Sequence, residues 1–88
     1  MPSQQTLTFE DIDAIYKTIG KNVMRVRKEK GFTQLDLTLA IGYKSVGLVS
    51  QAELCLNKKH FNIEHLCKIA QVLEVDICEF FKGTSANL

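Results

Sequence analysis

Along most of this chain apolar residues recur every three or four positions with polar residues between them, the period of helices that bury one face. Ile12, Ile15, Tyr16, Ile19, Val23 and Val26 form one such face. Thr8 followed by Asp11 has the spacing of a capping box, in which each side chain satisfies a backbone N–H left unpaired at a helix start. The pattern predicts a first helix over residues 9–30. Gly20 is a point where it can kink or break, since glycine inside a helix costs about 1 kcal/mol relative to alanine. A second capping box, Thr33 with Asp36, opens a helix over 34–41 with Leu37, Ala40 and Ile41 inward and Gly42 supplying the positive φ at its end. Ser45 is the next N-cap, for a helix over 46–56. After a loop carrying Lys58, Lys59 and His60, Asn62 caps a fourth helix over 63–73 that buries Leu66, Ile69, Ala70 and Leu73. Asp76 with Glu79 reads as a last capping box, opening a short fifth helix with Ile77, Phe80 and Phe81. The expected fold is all-α with five helices: a loose arm at residues 1–8, one domain at 9–82 and a frayed tail at 83–88.

The corner between the second and third helices changes the picture from fold to function. Two short helices joined by so tight a turn make a helix-turn-helix, which leaves the second helix free to lie in a groove of DNA. Around it stand Val23, Arg27 and Lys28, then Gly31-Phe32-Thr33-Gln34, Leu37, Gly42, Val49-Ser50 and Glu53. Leu66-Cys67-Lys68-Ile69-Ala70, Leu73, Val75 and Phe80 follow in order. In this order and spacing, residues 20–81 resemble the Cro and lambda-repressor-like helix-turn-helix family, also called the xenobiotic-response-element type. The stretches from Gly42 to Glu53 and from Glu53 to Leu66 are both longer than is usual in that family. Thr38 stands where it commonly has alanine, and Met24 where a basic residue is common.

The resemblance implies a five-helix lambda-repressor-like domain and a transcriptional regulator that binds double-stranded DNA as a homodimer on a pseudo-palindromic operator. The format is similar to restriction–modification controller proteins and phage-type repressors, less closely to antitoxins that also hold a protein partner. Arg27 and Glu53 match the family's charge pair between the first helix and the recognition helix. Gln34 matches a glutamine that contacts the DNA backbone, a role its place in a helix's first turn also suits. Ser45, Val46, Gly47, Ser50 and Gln51 match the base-contacting face, with Lys44, a further DNA-binding candidate, just ahead of the helix. Among these Gln51 is the strongest reader, because a glutamine amide pairs bidentately with adenine in the major groove. Lys58 and Lys59, in the loop after that helix, are expected to reach phosphates and to make binding salt-dependent. The alternative is an antitoxin-type or protein-interaction module of the same fold, favoured by the weakly polar recognition helix and by Leu35 and Leu54 at sites where polar residues are ordinary.

Composition narrows the remaining classes. Eighty-eight residues, 45% hydrophobic and 24% charged, suit one globular domain whose small core gains from association. Val75, Ile77, Phe80 and Phe81 exceed what a short helix can bury in its own domain and are the expected dimer interface, with the first helix as the rival. The net charge of +1 hides segregation: Lys17, Lys21, Arg25, Arg27, Lys28 and Lys30 outweigh Glu29, whereas Glu74, Asp76 and Glu79 outweigh Lys82. Cys55, Cys67 and Cys78 cannot all pair within one chain, and Cys67 and Cys78, at positions where the helical pattern takes small or apolar side chains, read as reduced packing thiols. Cys55, His60, His65 and Cys67 are of zinc-binding types, but their spacing fits no standard zinc module, so no metal or other cofactor is expected. Two histidines offer no assembly of nucleophile, base and orienting group, and no enzymatic activity is expected. With neither a spanning apolar run nor a signal-peptide layout, the expected location is the cytoplasm, with no membrane partner.

Overall fold

Three helix starts are held by reciprocal caps of the kind the sequence spells out. In a computed structural model, which describes residues 8–45 and 47–84, Thr8 Oγ1 accepts from the Asp11 N–H at 3.1 Å while Asp11 Oδ2 accepts from the Thr8 N–H at 2.8 Å. Thr33 and Asp36 repeat the arrangement at 2.9 Å in both directions. At the third start Asn62 Oδ1 accepts from the His65 N–H at 2.7 Å, and His65 Nδ1 takes the place of a carboxylate, accepting from the Asn62 N–H at 3.1 Å. These caps open α1 (Phe9–Glu29), α2 (Gln34–Ala40) and α4 (Ile63–Leu73). The remaining helix, α3 (Gly47–Leu54), lies between α2 and α4 in the chain. Gly31 at φ +79° and Gly42 at φ +89° provide the left-handed residues after α1 and α2. Thr8 is thus the N-cap of α1 and no part of a loose arm; residues 1–7 and 85–88 lie outside the described residues.

The described residues are all-helical. α3 packs on α1 and α2, and α4 packs on α2. Their inward faces meet in one core built from Val23 and Val26 of α1, Leu37 of α2, Val49 of α3, and Leu66, Ile69 and Leu73 of α4. Thr38 joins it fully buried, and its hydroxyl is satisfied by donating to the Gln34 carbonyl at 2.8 Å.

Several expectations are corrected. α3 stops at Leu54, where Cys55 turns left-handed at φ 53°, and residues Leu56–Lys58 form a separate 3-10 turn. The fifth helix is a 3-10 segment, Ile77–Phe81, packed on α1 and α4. Asp76 makes no capping box with Glu79: its Oδ1 accepts from the Cys78 N–H at 2.8 Å, a tighter turn, and Glu79 pairs with Lys82 at 3.0 Å. Cys67 and Cys78 are exposed, so neither is a packing thiol. Phe80, expected at a dimer interface, is 0% exposed and belongs to the core of its own domain. Val75, Ile77 and Phe81 are half-buried against that core. Asn22 fastens the segment to α1, its Nδ2 donating to the carbonyls of Phe80 and Lys82 at 2.9 Å each.

α1 runs unbroken through Gly20. The glycine is a contact point: a Cβ there would collide with the Glu53 carbonyl oxygen and lie 2.9 Å from that of Ala52, both backbone atoms of α3. Gly20→Ala is therefore expected to destabilise the domain by about 1–3 kcal/mol through overpacking, although alanine is the better helix former by about 1 kcal/mol. Urea denaturation decides the sign, and a more stable variant would show that α1 and α3 do not cross this closely in solution.

Candidate nucleic-acid interface

The corner of α2 and α3 is locked from beneath by a buried polar network. Arg27, near the end of α1, donates from Nε to Glu53 Oε2 at 2.6 Å and from Nη2 to Oε1 at 3.2 Å, while its Nη1 donates to the Phe32 carbonyl at 2.8 Å. Arg27 and Glu53 are 6% and 1% exposed, so this is a desolvated bidentate pair and no surface ion pair. Gln34 joins it, its Nε2 donating to Glu53 Oε1 at 3.0 Å. The amide expected to anchor a phosphate is thus engaged inside the protein, where it ties the first turn of α2 to α3. Four parts of the chain, α1, the loop at Phe32, α2 and α3, converge on one carboxylate and one guanidinium.

On the outer side the structure gathers several of the sequence-predicted contact residues. Ser45, Gly47, Gln51 and Lys59 border a cleft of about 390 Å³ between the α2–α3 turn, the first turns of α3 and the start of α4. Ser45 Oγ and Gln51 Nε2 each lie 3.6 Å from where a Gly47 side chain would begin, so two polar groups flank a bare stretch of backbone. Lys44 is exposed just ahead of them, and the Ser50 hydroxyl donates back to the Gly47 carbonyl at 3.4 Å. Val46 lies outside the described residues. Lys58 is not on this cleft; it lines a separate groove against α1. The backbone that presents it is left-handed at Cys55, Asn57 and Lys58, a conformation that disfavours residues other than glycine.

The floor of the cleft is aromatic. His65 is buried, and burial lowers its pKa below the ordinary histidine value, which keeps Nδ1 free to accept in the α4 cap. Tyr43 meets His65 edge-on at 5.3 Å, and Lys68 Nζ lies 5.2 Å from the centre of the Tyr43 ring. The sequence reading missed this cluster; its one local signal was the Asn62-x-x-His65 spacing. Cys55, His60, His65 and Cys67 are not brought together as a metal-holding group.

Charge segregation is weaker than the linear count. Lys17 pairs with Asp13 at 3.0 Å, Arg25 with Glu29 at 3.6 Å and with Glu79 at 3.8 Å, and Arg27 is consumed by Glu53. Among the described residues Lys21, Lys28, Lys30, Lys44, Lys58 and Lys59 are in no ion pair. Three of these six lie at the two ends of α3. No helix among the described residues is long and apolar enough to cross a membrane. No protein-family model matches the chain, and no curated protein matches it.

Proposed function

We propose that this chain is a sequence-specific DNA-binding transcriptional regulator of the Cro and lambda-repressor-like helix-turn-helix kind, without enzymatic activity. The observation that carries the reading is the convergence of Ser45, Gly47, Gln51 and Lys59 on one cleft beside a helix whose buried face is locked by Arg27 and Glu53. A recognition helix must be held rigidly at the corner, because base-edge hydrogen bonds tolerate little misplacement. In this reading Gln51 spans an adenine edge, Gly47 lets the backbone approach the groove, and Lys44 and Lys59 meet phosphates on either side. Gln34 acts from behind, through Glu53. A dimer puts two such helices about 34 Å apart on a pseudo-palindromic operator.

Binding-site selection followed by titration over several salt concentrations tests this. Gln51→Ala is expected to lose about 1–3 kcal/mol on the selected site and to relax one base pair per half-site, with little change on random duplex. Lys59→Ala is expected to weaken all sequences alike and to reduce the log–log salt slope by about one, whereas Lys58→Ala changes it less. Selection that enriches no sequence would overturn the reading. Leu35 and Leu39, exposed one turn apart on α2, favour the second reading, a module of this fold that holds a protein partner. A chain of that kind shows no preference between the selected duplex and a random one.

A further inference from the structure

The groove beside α1, about 130 Å³ in volume, has a lining that is mostly apolar and yet carries two lysines. Phe9, Ile12 and Tyr16 supply its α1 side, and Phe9 and Ile12 are 71% and 42% exposed there. Tyr16 stacks on His60 across from α1, ring centres 3.7 Å apart and 14° from parallel, which fixes one wall. The Cys55 thiol adds no charge: burial raises its pKa, and Sγ donates to the Ala52 carbonyl at 3.7 Å. Asp13, the acid on the lining, is already paired with Lys17 at 3.0 Å. Lys58 and Lys59 line the groove too, and neither is in an ion pair among the described residues. The lining therefore presents apolar surface and an unanswered positive charge.

An anion with a small apolar body answers both. An apolar cavity of about 150 Å³ takes a benzene molecule, so this groove has room for a single six-membered ring, and the rings of Phe9, Tyr16 and His60 suit an aromatic one that meets them offset or edge-on. A carboxylate fits two ammonium groups as a charge-assisted acceptor, and a single charge is cheaper to bring against apolar walls than the double charge of a phosphate. The backbone that carries Lys58 is left-handed at Cys55, Asn57 and Lys58, with φ of 53°, 54° and 61°, strain of the kind that gathers where ligands are held. We propose that the groove is a binding site for a small aryl carboxylate, its ring against Phe9, Ile12 and Tyr16 and its carboxylate on Lys58 and Lys59. Lys59 and His60 also border the cleft that holds Gln51. A bound carboxylate and a DNA phosphate thus compete for Lys59, so the ligand weakens DNA binding; this linkage rests on the DNA-binding reading, whereas the ligand site does not.

Titration of the whole chain with benzoate at constant ionic strength, without DNA and followed by amide NMR shifts, reads the site directly. Saturable shifts are expected at residues 9–16 and 55–60. Benzamide, which keeps the ring without the charge, and acetate, which keeps the charge without the ring, are each expected to bind about tenfold more weakly or worse. Lys58→Ala with Lys59→Ala is expected to bring benzoate down to the level of benzamide, and Phe9→Ser to weaken it severalfold, both with unchanged helical circular dichroism because these side chains are exposed. Absence of saturable benzoate shifts overturns the site, whether the groove stays open, takes a peptide or is covered by a second copy of the chain. So does binding of benzamide or acetate as tight as that of benzoate. The linkage is read on the selected duplex: benzoate is expected to weaken the wild type by no more than Lys59→Ala does, and to leave Lys59→Ala unaffected. Equal weakening of both proteins overturns the competition for Lys59, and a selection that enriches no sequence removes the DNA-binding reading while the benzoate shifts still decide the site.

Discussion

Glu53→Gln is expected to destabilise the domain by about 3–5 kcal/mol, because it strands a guanidinium at a site from which water is excluded. The Glu53 carboxylate receives two hydrogen bonds from Arg27 and one from Gln34, and a neutral amide cannot accept all three or balance the charge. Arg27→Met should cost a similar amount by leaving the carboxylate unpaired. Replacing both, Arg27→Met with Glu53→Leu, is expected to cost much less than the sum, since the desolvation penalty leaves with the pair. Urea denaturation of the four proteins measures the coupling directly. Additive losses would show that the two groups do not depend on one another. The same series reaches the proposed function: if the chain reads DNA through Gln51, a loosened corner misplaces that side chain, and variants that remain folded are expected to lose operator preference before they lose affinity for random duplex.

Phe80→Ala is expected to cost about 3–5 kcal/mol, the range for emptying a fully enclosed aromatic site. The ring sits in the core against α1 and α4, and the Asn22 amide holds the backbone on which it is carried. The loss should be the same at low and high protein concentration, because the ring is enclosed within one chain. If Phe80 served instead at an interface, the variant would keep its monomer stability and lose association. Denaturation followed at two protein concentrations separates these outcomes, and Phe81→Ala, at a half-buried position, is expected to cost less.

The Phe80 case shows where reading from sequence stops. Its apolar run is plain in the chain, but whether those side chains meet their own domain or another copy depends on how α1 and α4 lie, which no local pattern encodes. The boundary runs the same way elsewhere. Thr8, Thr33 and Asn62 announce helix starts because a cap is a contact between residues three apart, and Gly42 marks an end because a positive φ is a property of a single residue. The stripes of α1 and α4 follow from a period of 3.6 residues. Asp76 and Glu79 have capping spacing too, yet the chain there turns as a 3-10 segment, because Asn22 and the burial of Phe80 fix its path from outside.

By itself, then, the chain determines that it is helical, where three of its helices begin, that Ile19, Val23 and Val26 of α1 and Leu66, Ile69, Ala70 and Leu73 of α4 turn inward, and which residues crowd the α2–α3 corner, whereas Ile12 and Ala40, on the same apolar periods, stay exposed. Only the tertiary structure decided that Gly20 is a crossing point of α1 and α3, that Gln34 serves Glu53 from inside, that Lys59 borders the cleft while Lys58 lines the groove beside α1, and that Tyr16 stacks on His60. The physical reason is range: caps, turns and amphipathic periods are settled within a few residues, whereas close backbone approach, desolvated pairing and exposure depend on elements that meet only after the chain has folded.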